Sequence, residues 1–494
     1  FVSDLLALPL EGFKGDYLKA NLLTKFVGTE TDSAQIRSDR AIEKWLNRER
    51  ENAIVNHRLF VSPTTFAFRD KTGGEVKVSS DQVIAKAASF IADALGPVPR
   101  DLFGGFSGGA TTSKNRRLSS TDEKFATQGD VTADCEALWA SMLFQHPMLA
   151  RTPSGEVCIT PNRVQGNILF CVPKTSTIDR VACKEPDLNM YVQKAIGNHY
   201  RKSLRSKGID LNDQTRNQEL ARVGSIDGSL ATIDLSSASD SMTLQLCCRL
   251  FDPDWYDLMM RARSPFTQVD GVWHELEMMS SMGNGFTFEA ESLVFWALAR
   301  ACAWLSATPG VISVYGDDII VPTDCADLLI EVLSYCGFTT NKDKTFTSGP
   351  FRESCGSHWY NGQCVKPFFI RRPISTLPDL ILHLNAVRQW CSDGVLADPR
   401  FLAFWLKYSA YVPKKLWGAY EGGASALISA PVPSGLYSVT AVKRRNRRNE
   451  LGSYVRWWHM TEVERLTDPG AFSRNTEIGF RYSRAPDSAR KFAP

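Results

Sequence analysis

Apolar positions along this chain follow first a helical period and then a strand-like one, and the switch marks its organisation. Over 34–57, Ala34, Ile36, Ala41, Ile42, Trp45 and Leu46 recur on one face among charged residues, which predicts an amphipathic helix. A second helix is predicted over 81–95, stopped by Gly96-Pro97. The short apolar run 167–172 predicts a strand, and helices are expected at 187–206 and 240–250. The block 228–350 then alternates strand, helix, strand, strand and helix. An aromatic, strand-like stretch runs from 351 to about 371, followed by helical patterns near 376–392 and 398–410. The Gly-, Ser- and Pro-rich region 420–440 reads as a loop or linker, and no repeat of fixed period is visible.

Within the central block, 311–322 (Val-Ile-Ser-Val-Tyr-Gly-Asp-Asp-Ile-Ile-Val-Pro) carries the clearest chemistry. Two β-branched runs read as buried strands, and Gly316 supplies a tight turn that places Asp317 and Asp318 at a hairpin tip. Burying adjacent like charges is costly unless a cation neutralises them, and hard oxygen ligands suit Mg²⁺ or Mn²⁺. The competing reading is an ordinary Gly-Asp-Asp turn facing solvent.

A second carboxylate, Asp234, lies at the C-terminal end of a strand-like segment, 229–233, and is followed by Leu235-Ser-Ser-Ala-Ser-Asp240. Alone it reads equally as a helix N-cap, with a helix starting near Asp240. Beside the downstream pair it becomes the third ligand of a two-metal centre, and such centres perform in-line phosphoryl or nucleotidyl transfer.

Composition narrows the class. A chain of 494 residues with 43% hydrophobic content can bury a large core and exceeds one simple domain. The formal charge is only +3, so any surface for an acidic polymer must be local. Twelve cysteines are scattered without a Cys-x-x-Cys pair, which argues for reduced cytosolic thiols and against a zinc site. No apolar run is long enough to span a membrane, and the start at Phe1 suggests a trimmed terminus. A soluble intracellular protein is expected.

Basic character is local. Pro173-Lys174, Arg180 and Lys184 lie beside the strand at 167–172, where fixed cations can pair with phosphate oxygens. The Gly- and hydroxyl-rich segment 106–117 leads into Lys114, Arg116 and Arg117, and reads either as a phosphate or RNA surface or as a solvated loop. Lys443, Arg444, Arg445, Arg447 and Arg448 precede Tyr454, Trp457 and Trp458. That tail either holds single-stranded RNA through charge and stacking or is a solvated charge run beside a packed aromatic helix.

The order Asp-x₅-Asp, Ser-Met-Gly-Asn-Gly-Phe-Thr, Tyr-Gly-Asp-Asp and Asn-x-x-Lys-Thr resembles the palm of RNA-dependent RNA polymerases. More narrowly, Gly208–Gln214, Asp234–Ser241, Met282–Glu289 and Phe351–Gly356 resemble the replicase catalytic (beta) subunit of leviviruses, the single-stranded RNA bacteriophages. The likeness runs from about 104 to 410, with a weaker echo at Glu450–Tyr454.

The resemblance implies an α+β right-hand polymerase. Fingers and an N-terminal region would occupy 1–227, an antiparallel palm with flanking helices 228–350, a hairpin supporting the growing 3′ end 351–372, and a mostly helical thumb with the C-terminal region 373–494. It implies that Asp234, Asp317 and Asp318 hold two Mg²⁺ (or Mn²⁺) ions, with Asp318 also a candidate outer ligand. Lys174 and Arg180 would grip the triphosphate, Asp240 the ribose, and Gly283 and Asn284 would lie in the nucleotide-binding loop. Lys344 matches a general acid for the leaving pyrophosphate, a role contributing about 10²–10⁴-fold. Many related polymerases carry an asparagine where Glu291 stands, so Asn284 is an alternative ribose partner.

The implied partners are template and product RNA, ribonucleoside triphosphates, host elongation factors Tu and Ts and a small-subunit ribosomal protein, in the cytoplasm of an infected bacterium. A reverse transcriptase is the nearest rival. Leu235, Ser236, Ser237, Ala238 and Ser239 leave room for a 2′-hydroxyl where such enzymes place a bulky aromatic. A nuclease or phosphatase would not need the Lys174/Arg180 pair, and the intact aspartates count against a catalytically silent RNA-binding module.

Overall fold

The amphipathic segment read over 34–57 forms one continuous helix, Ala34–Val61, in a computed structural model of the chain. The structure describes residues 1–27, 33–69, 74–126, 128–145, 147, 160–392, 398–413, 416–418, 427–428, 442–443, 453–459 and 479–485. Ser33 caps the helix by accepting from the Ile36 N–H, and Ala41, Trp45, Val55 and Leu59 form its buried stripe. The next helix, Ser80–Leu95, opens with a reciprocal capping box between Ser79 and Gln82 and stops at Gly96, whose φ of 61° suits glycine.

Contacts divide the chain into Asp32–Val365 and a second unit made of Phe1–Thr31 with Lys366–Pro494. In the larger unit the helix Thr287–Leu305 is apolar almost all round and buried almost all round, as a central core helix must be. Its Leu293, Val294, Phe295 and Leu298 share one core with Val83, Ile84 and Ile91 of Ser80–Leu95 and with Ile233, Val314 and Ile319 of a three-stranded antiparallel sheet. In that sheet Asp318–Pro322 is the middle strand, with Ser313–Tyr315 on one side and Leu230–Ile233 on the other, so both acidic motifs are carried by adjoining strands. A four-stranded sheet orders Val272–Glu275, Phe266–Val269, Asn167–Pro173 and Asp179–Lys184.

Residues 351–364 form an antiparallel hairpin, Phe351–Ser354 against Ser357–Tyr360, with Gln363–Cys364 as a third short strand. Arg352 is fully buried and ties it down: its Nε donates to the Leu230 carbonyl at 2.6 Å, and Nη1 donates to the carbonyls of Ser348, Gly349 and Phe351. The strand-like pattern read to about 371 ends at Cys364. In the smaller unit Leu5, Leu10, Leu18 and Leu22 share a core with Ile370, Val387, Phe401 and Phe404. The Ile370 N–H donates to the Leu22 carbonyl at 2.9 Å, and the Val27 N–H to the Arg371 carbonyl at 2.7 Å.

Two expectations are corrected. No helix starts near Asp240: that residue sits in a single 3-10 turn, Ser239–Ser241, and the helix begins at Leu244 with Thr243 as its cap. The tryptophan-rich tail is not helical, because Ser453–His459 is a strand paired with Gly479–Ala485. Most of the 420–440 linker lies outside the described residues. The described cysteines are all free thiols, and no described helix is long and apolar enough to cross a membrane.

Candidate active site

Tyr315 pairs with Asp318 across a two-residue turn of Gly316 and Asp317. Such a turn needs φ > 0 where Gly316 stands, and its φ is 60°. Space demands glycine as well: a Cβ there would lie 2.6 Å from the Phe288 ring and 3.3 Å from Glu291 Oε1. The Gly316 N–H donates to Ser292 Oγ at 3.0 Å, so the helix Thr287–Leu305 holds the tip. Asn217 braces the hairpin from the other side. Its Oδ1 accepts from Ser313 Oγ at 2.6 Å, and its Nδ2 donates to the Asp318 carbonyl at 3.2 Å.

Asp234 follows the neighbouring strand directly, since Ile319 pairs with Ile233. Register therefore brings Asp234 alongside Asp318, and Asp234 is no helix cap. Beyond it the chain turns sharply at Ser237 (φ 55°), after Leu235–Ser236 pairs with Thr339–Thr340. Asn341 continues that pairing: its N–H donates to the Asp234 carbonyl at 2.9 Å and its Nδ2 to Asp234 Oδ2 at 2.8 Å. Lys344 Nζ stands 3.6 Å from Asp234 Oδ1 and 3.7 Å from Glu353 Oε1.

Electrostatics mark the tip as short of positive charge. Burial raises the Asp317 carboxyl, and Asp234 raises it further, against Lys344 and Arg180. Burial pushes Asp318 up to about 6, with Asp317, Asp234 and Glu353 adding to the rise. Lys344 is held above the ordinary lysine range: burial opposes this, but Glu353, Asp234, Asp318 and Asp317 outweigh it. Among the described residues no three acidic, histidine or cysteine side chains already close around a cation position, Asp234 being turned toward Asn341 and Lys344. The donor set nevertheless fits a hard divalent ion, since burial and the neighbouring Asp234 raise both Asp317 and Asp318, a cost that a cation between their oxygens would offset.

Around this tip the structure gathers most of the nucleotide-binding candidates. Asp240 is half-buried, its buried Oδ1 has no hydrogen-bond partner, and burial pushes the carboxyl up to about 6 against the pull of Arg48, Lys44, Lys174 and Arg180. Lys174 and Arg180 flank the turn joining Asn167–Pro173 to Asp179–Lys184. Lys174 is depressed by burial and by Arg180.

Gly283 (φ 120°) presses onto the same hairpin, where a Cβ would lie 2.2 Å from the Cys183 carbonyl. Asn284 is buried, with Oδ1 accepting from the Phe286 N–H at 2.9 Å and Nδ2 left without a partner. Glu291 accepts from Ser239 Oγ at 2.7 Å and is raised to about 8 by burial, with Asp317 and Asp240 adding.

Other candidates are placed elsewhere. Three hydroxyls of the 106–117 loop are spent on protein carboxylates: Thr111 and Ser113 donate to Asp187, and Thr112 to Asp130. Arg116 and Arg117 are exposed, and no described contact links them or Lys114 to the aspartates. Arg444, Arg445, Arg447 and Arg448 lie outside the described residues, and Lys443 is described only as backbone in a strand. Sequence reasoning assigns no role to Asn341, Glu353, Ser354 (Oγ to Asp318 Oδ1, 3.3 Å) or Asn217, all of which touch the site. They come from separate segments whose spacing carries no signal; Asn341, Glu353 and Ser354 stand inside polymerase-like phrases, whereas Asn217 stands in none.

Comparison with known proteins adds the family. The model of the RNA replicase, beta-chain family matches residues 6–483. The RNA-directed RNA polymerase beta chain of Enterobacteria phage GA is 45% identical over 73% of this chain and 70% of its own. The RNA-directed RNA polymerase subunit beta of Escherichia virus Qbeta is 39% identical over 90% of this chain and 76% of its own. Among solved structures, the BmCPV RNA-dependent RNA polymerase at elongation state aligns at TM-score 0.39 and 12% identity over 81% of this chain and 36% of that one, too distant to add to the fold.

Proposed function

This chain belongs to the RNA replicase beta-chain family and is an RNA-directed RNA polymerase, and from that premise we propose that it copies a viral RNA genome by two-metal nucleotidyl transfer at Asp234, Asp317 and Asp318. The observation that carries this reading is the hairpin tip: Asp317 and Asp318, half-buried at the turn and both raised by burial and by Asp234, with Lys344 3.6 Å from Asp234.

When bound there, two Mg²⁺ or Mn²⁺ ions supply activation of the attacking hydroxyl and neutralise charge on the phosphate oxygens. The chain's own residues do the rest. The primer 3′-hydroxyl gives its proton to solvent as its oxygen forms a bond to the α-phosphorus, and the bond from that phosphorus to the pyrophosphate oxygen breaks. Lys344, kept protonated by its four carboxylate neighbours, gives its proton to the departing pyrophosphate. Arg180 and Lys174 bind the triphosphate, and Asp240 accepts from the ribose through its unpartnered oxygen. Asn284, with a free amide donor, serves beside it.

The wider assignment is a right-hand polymerase, with the three-stranded sheet as palm, the 351–364 hairpin under the growing 3′ end and the helices after 377 as thumb. Elongation factors Tu and Ts, a small-subunit ribosomal protein and the cytoplasm of an infected bacterium belong to the same proposal. Co-purification from a bacterial host tests those partners. Metal-dependent incorporation of labelled ribonucleotide tests the chemistry: no incorporation with Mg²⁺ or Mn²⁺ on any RNA template overturns it, and preferential use of deoxynucleotides points to reverse transcription.

A further inference from the structure

We propose that Lys44 and Arg48, on the helix Ala34–Val61, form part of the triphosphate-binding channel together with Lys174 and Arg180. This rests on the nucleotidyl-transfer reading and extends it to a helix that the motifs do not touch.

The helix is anchored at both ends of the relevant stretch. Arg37 pairs with Asp179 at 3.1 Å in a buried contact, and Arg40 Nη1 donates to the Thr177 carbonyl at 3.1 Å. Both partners lie on the β-hairpin that carries Lys174 and Arg180. Further along, Asn52 Nδ2 donates to the Asp240 carbonyl at 2.8 Å. From Arg37 to Asn52 the helix covers about 22 Å at its usual rise. Lys44, Arg48 and Asn52 recur every fourth residue and so share a face. The two cations therefore stand between the triphosphate-gripping hairpin and the ribose carboxylate.

Arg48 is fixed there. Its Nη1 pairs with Glu51 at 2.7 Å, and its Nη2 reaches Thr339 Oγ1 at 3.3 Å, on the strand that pairs with Leu235–Ser236. Two grooves, of about 330 and 470 Å³, share Arg48 and Glu51 and expose Lys44 in one and Lys342 in the other.

Charge agrees with position. The cations acting on Asp240 rank Arg48, Lys44, Lys174 and then Arg180, so the helix pair acts on it more strongly than the hairpin pair. Lys44 and Lys174 also repel one another. Arg40, Lys44 and Arg48 line the smaller groove against Glu43 and Glu51, a formal surplus of one positive charge that a polyanion relieves. Convergence on one ribose-side carboxylate fits a compact triphosphate better than the extended backbone of RNA.

The test is Lys44→Gln in the full chain, an exposed position where folding is not at stake. The KM for ribonucleoside triphosphate in primer extension should rise about five- to tenfold with kcat within about twofold, as loss of one charge-assisted contact predicts. Lys44→Arg should restore it, and Arg48→Lys, which keeps the charge but loses the fork, should fall between. Calorimetry with inorganic tripolyphosphate should show the same weakening without turnover. A silent wild-type enzyme would therefore count against the nucleotidyl-transfer reading, while unchanged tripolyphosphate affinity in Lys44→Gln overturns this one. Weaker RNA retention with an unchanged nucleotide KM would assign the face to RNA and also overturn it.

Discussion

Asn341 grips Asp234 twice, through its backbone N–H at 2.9 Å to the carbonyl and through its side-chain amide at 2.8 Å to the carboxylate. The second contact orients a carboxylate whose other oxygen faces Lys344. Asn341→Ala should leave the strand pairing intact and lower incorporation about 10- to 100-fold, with a higher Mg²⁺ requirement, as loss of a group orienting a metal ligand does. A Mg²⁺ titration of primer extension reads this. Wild-type rate and Mg²⁺ dependence would show that the amide does not position Asp234.

Asp317→Asn should reduce synthesis at least about 10²-fold while RNA binding largely survives, because the amide relieves the charge that burial and Asp234 disfavour but removes a carboxylate of the proposed metal centre. Filter retention of template alongside incorporation separates the two. Parallel loss of both would mean that the residue supports the fold instead.

Gly316→Ala places a methyl 2.6 Å from the Phe288 ring in a left-handed turn that costs a non-glycine residue about 1 kcal/mol before any clash. The tip must shift, so incorporation should fall by more than the thermal midpoint would suggest. Melting and primer extension on one preparation decide it. An active variant would show that the ring gives way.

Glu49 supplies a pH test away from the aspartates. It accepts from Asn52 and from the Glu277 N–H, and burial lifts it from the usual 4.5 to about 7. Between those values the folded protein keeps a proton that the unfolded chain has released, so stability is full below about 4.5 and falls as pH rises toward 7, by at most about 3 kcal/mol. Glu49→Gln sacrifices one acceptor but should flatten that slope. Denaturant midpoints at pH 5 and pH 7 check it; an unchanged slope would place the titration elsewhere.

Elements with strong local periodicity are legible in the sequence. Helix Ala34–Val61 shows in its apolar stripe, and the aspartate hairpin in β-branched runs around a glycine. Tyr454, Trp457 and Trp458 mislead for a physical reason: their i, i+3, i+4 spacing is helical, yet cross-strand pairing with Gly479–Ala485 decides the conformation. The site is half legible. Asp234, Asp317, Asp318 and Lys344 announce themselves by motif, whereas Asn217 and Glu353 act on them through contacts made only in the folded chain. Lys44 and Arg48 stand in plain view on a helix whose charged face periodicity cannot assign to any neighbour.

The shared core of Leu5, Leu10, Leu18 and Leu22 with Ile370, Val387, Phe401 and Phe404 sets an order of events during synthesis. The early leucines leave the ribosome while Ile370, Val387, Phe401 and Phe404, which complete their core, are still untranslated. At about 5–20 residues per second, the intervening Asp32–Val365 takes on the order of 20–60 s to make. The larger unit can therefore fold first, while the opening helices wait with their apolar faces bare. A nascent chain stalled before Phe401 would lack Phe401 and Phe404 and would leave the apolar face of the first leucines open to water.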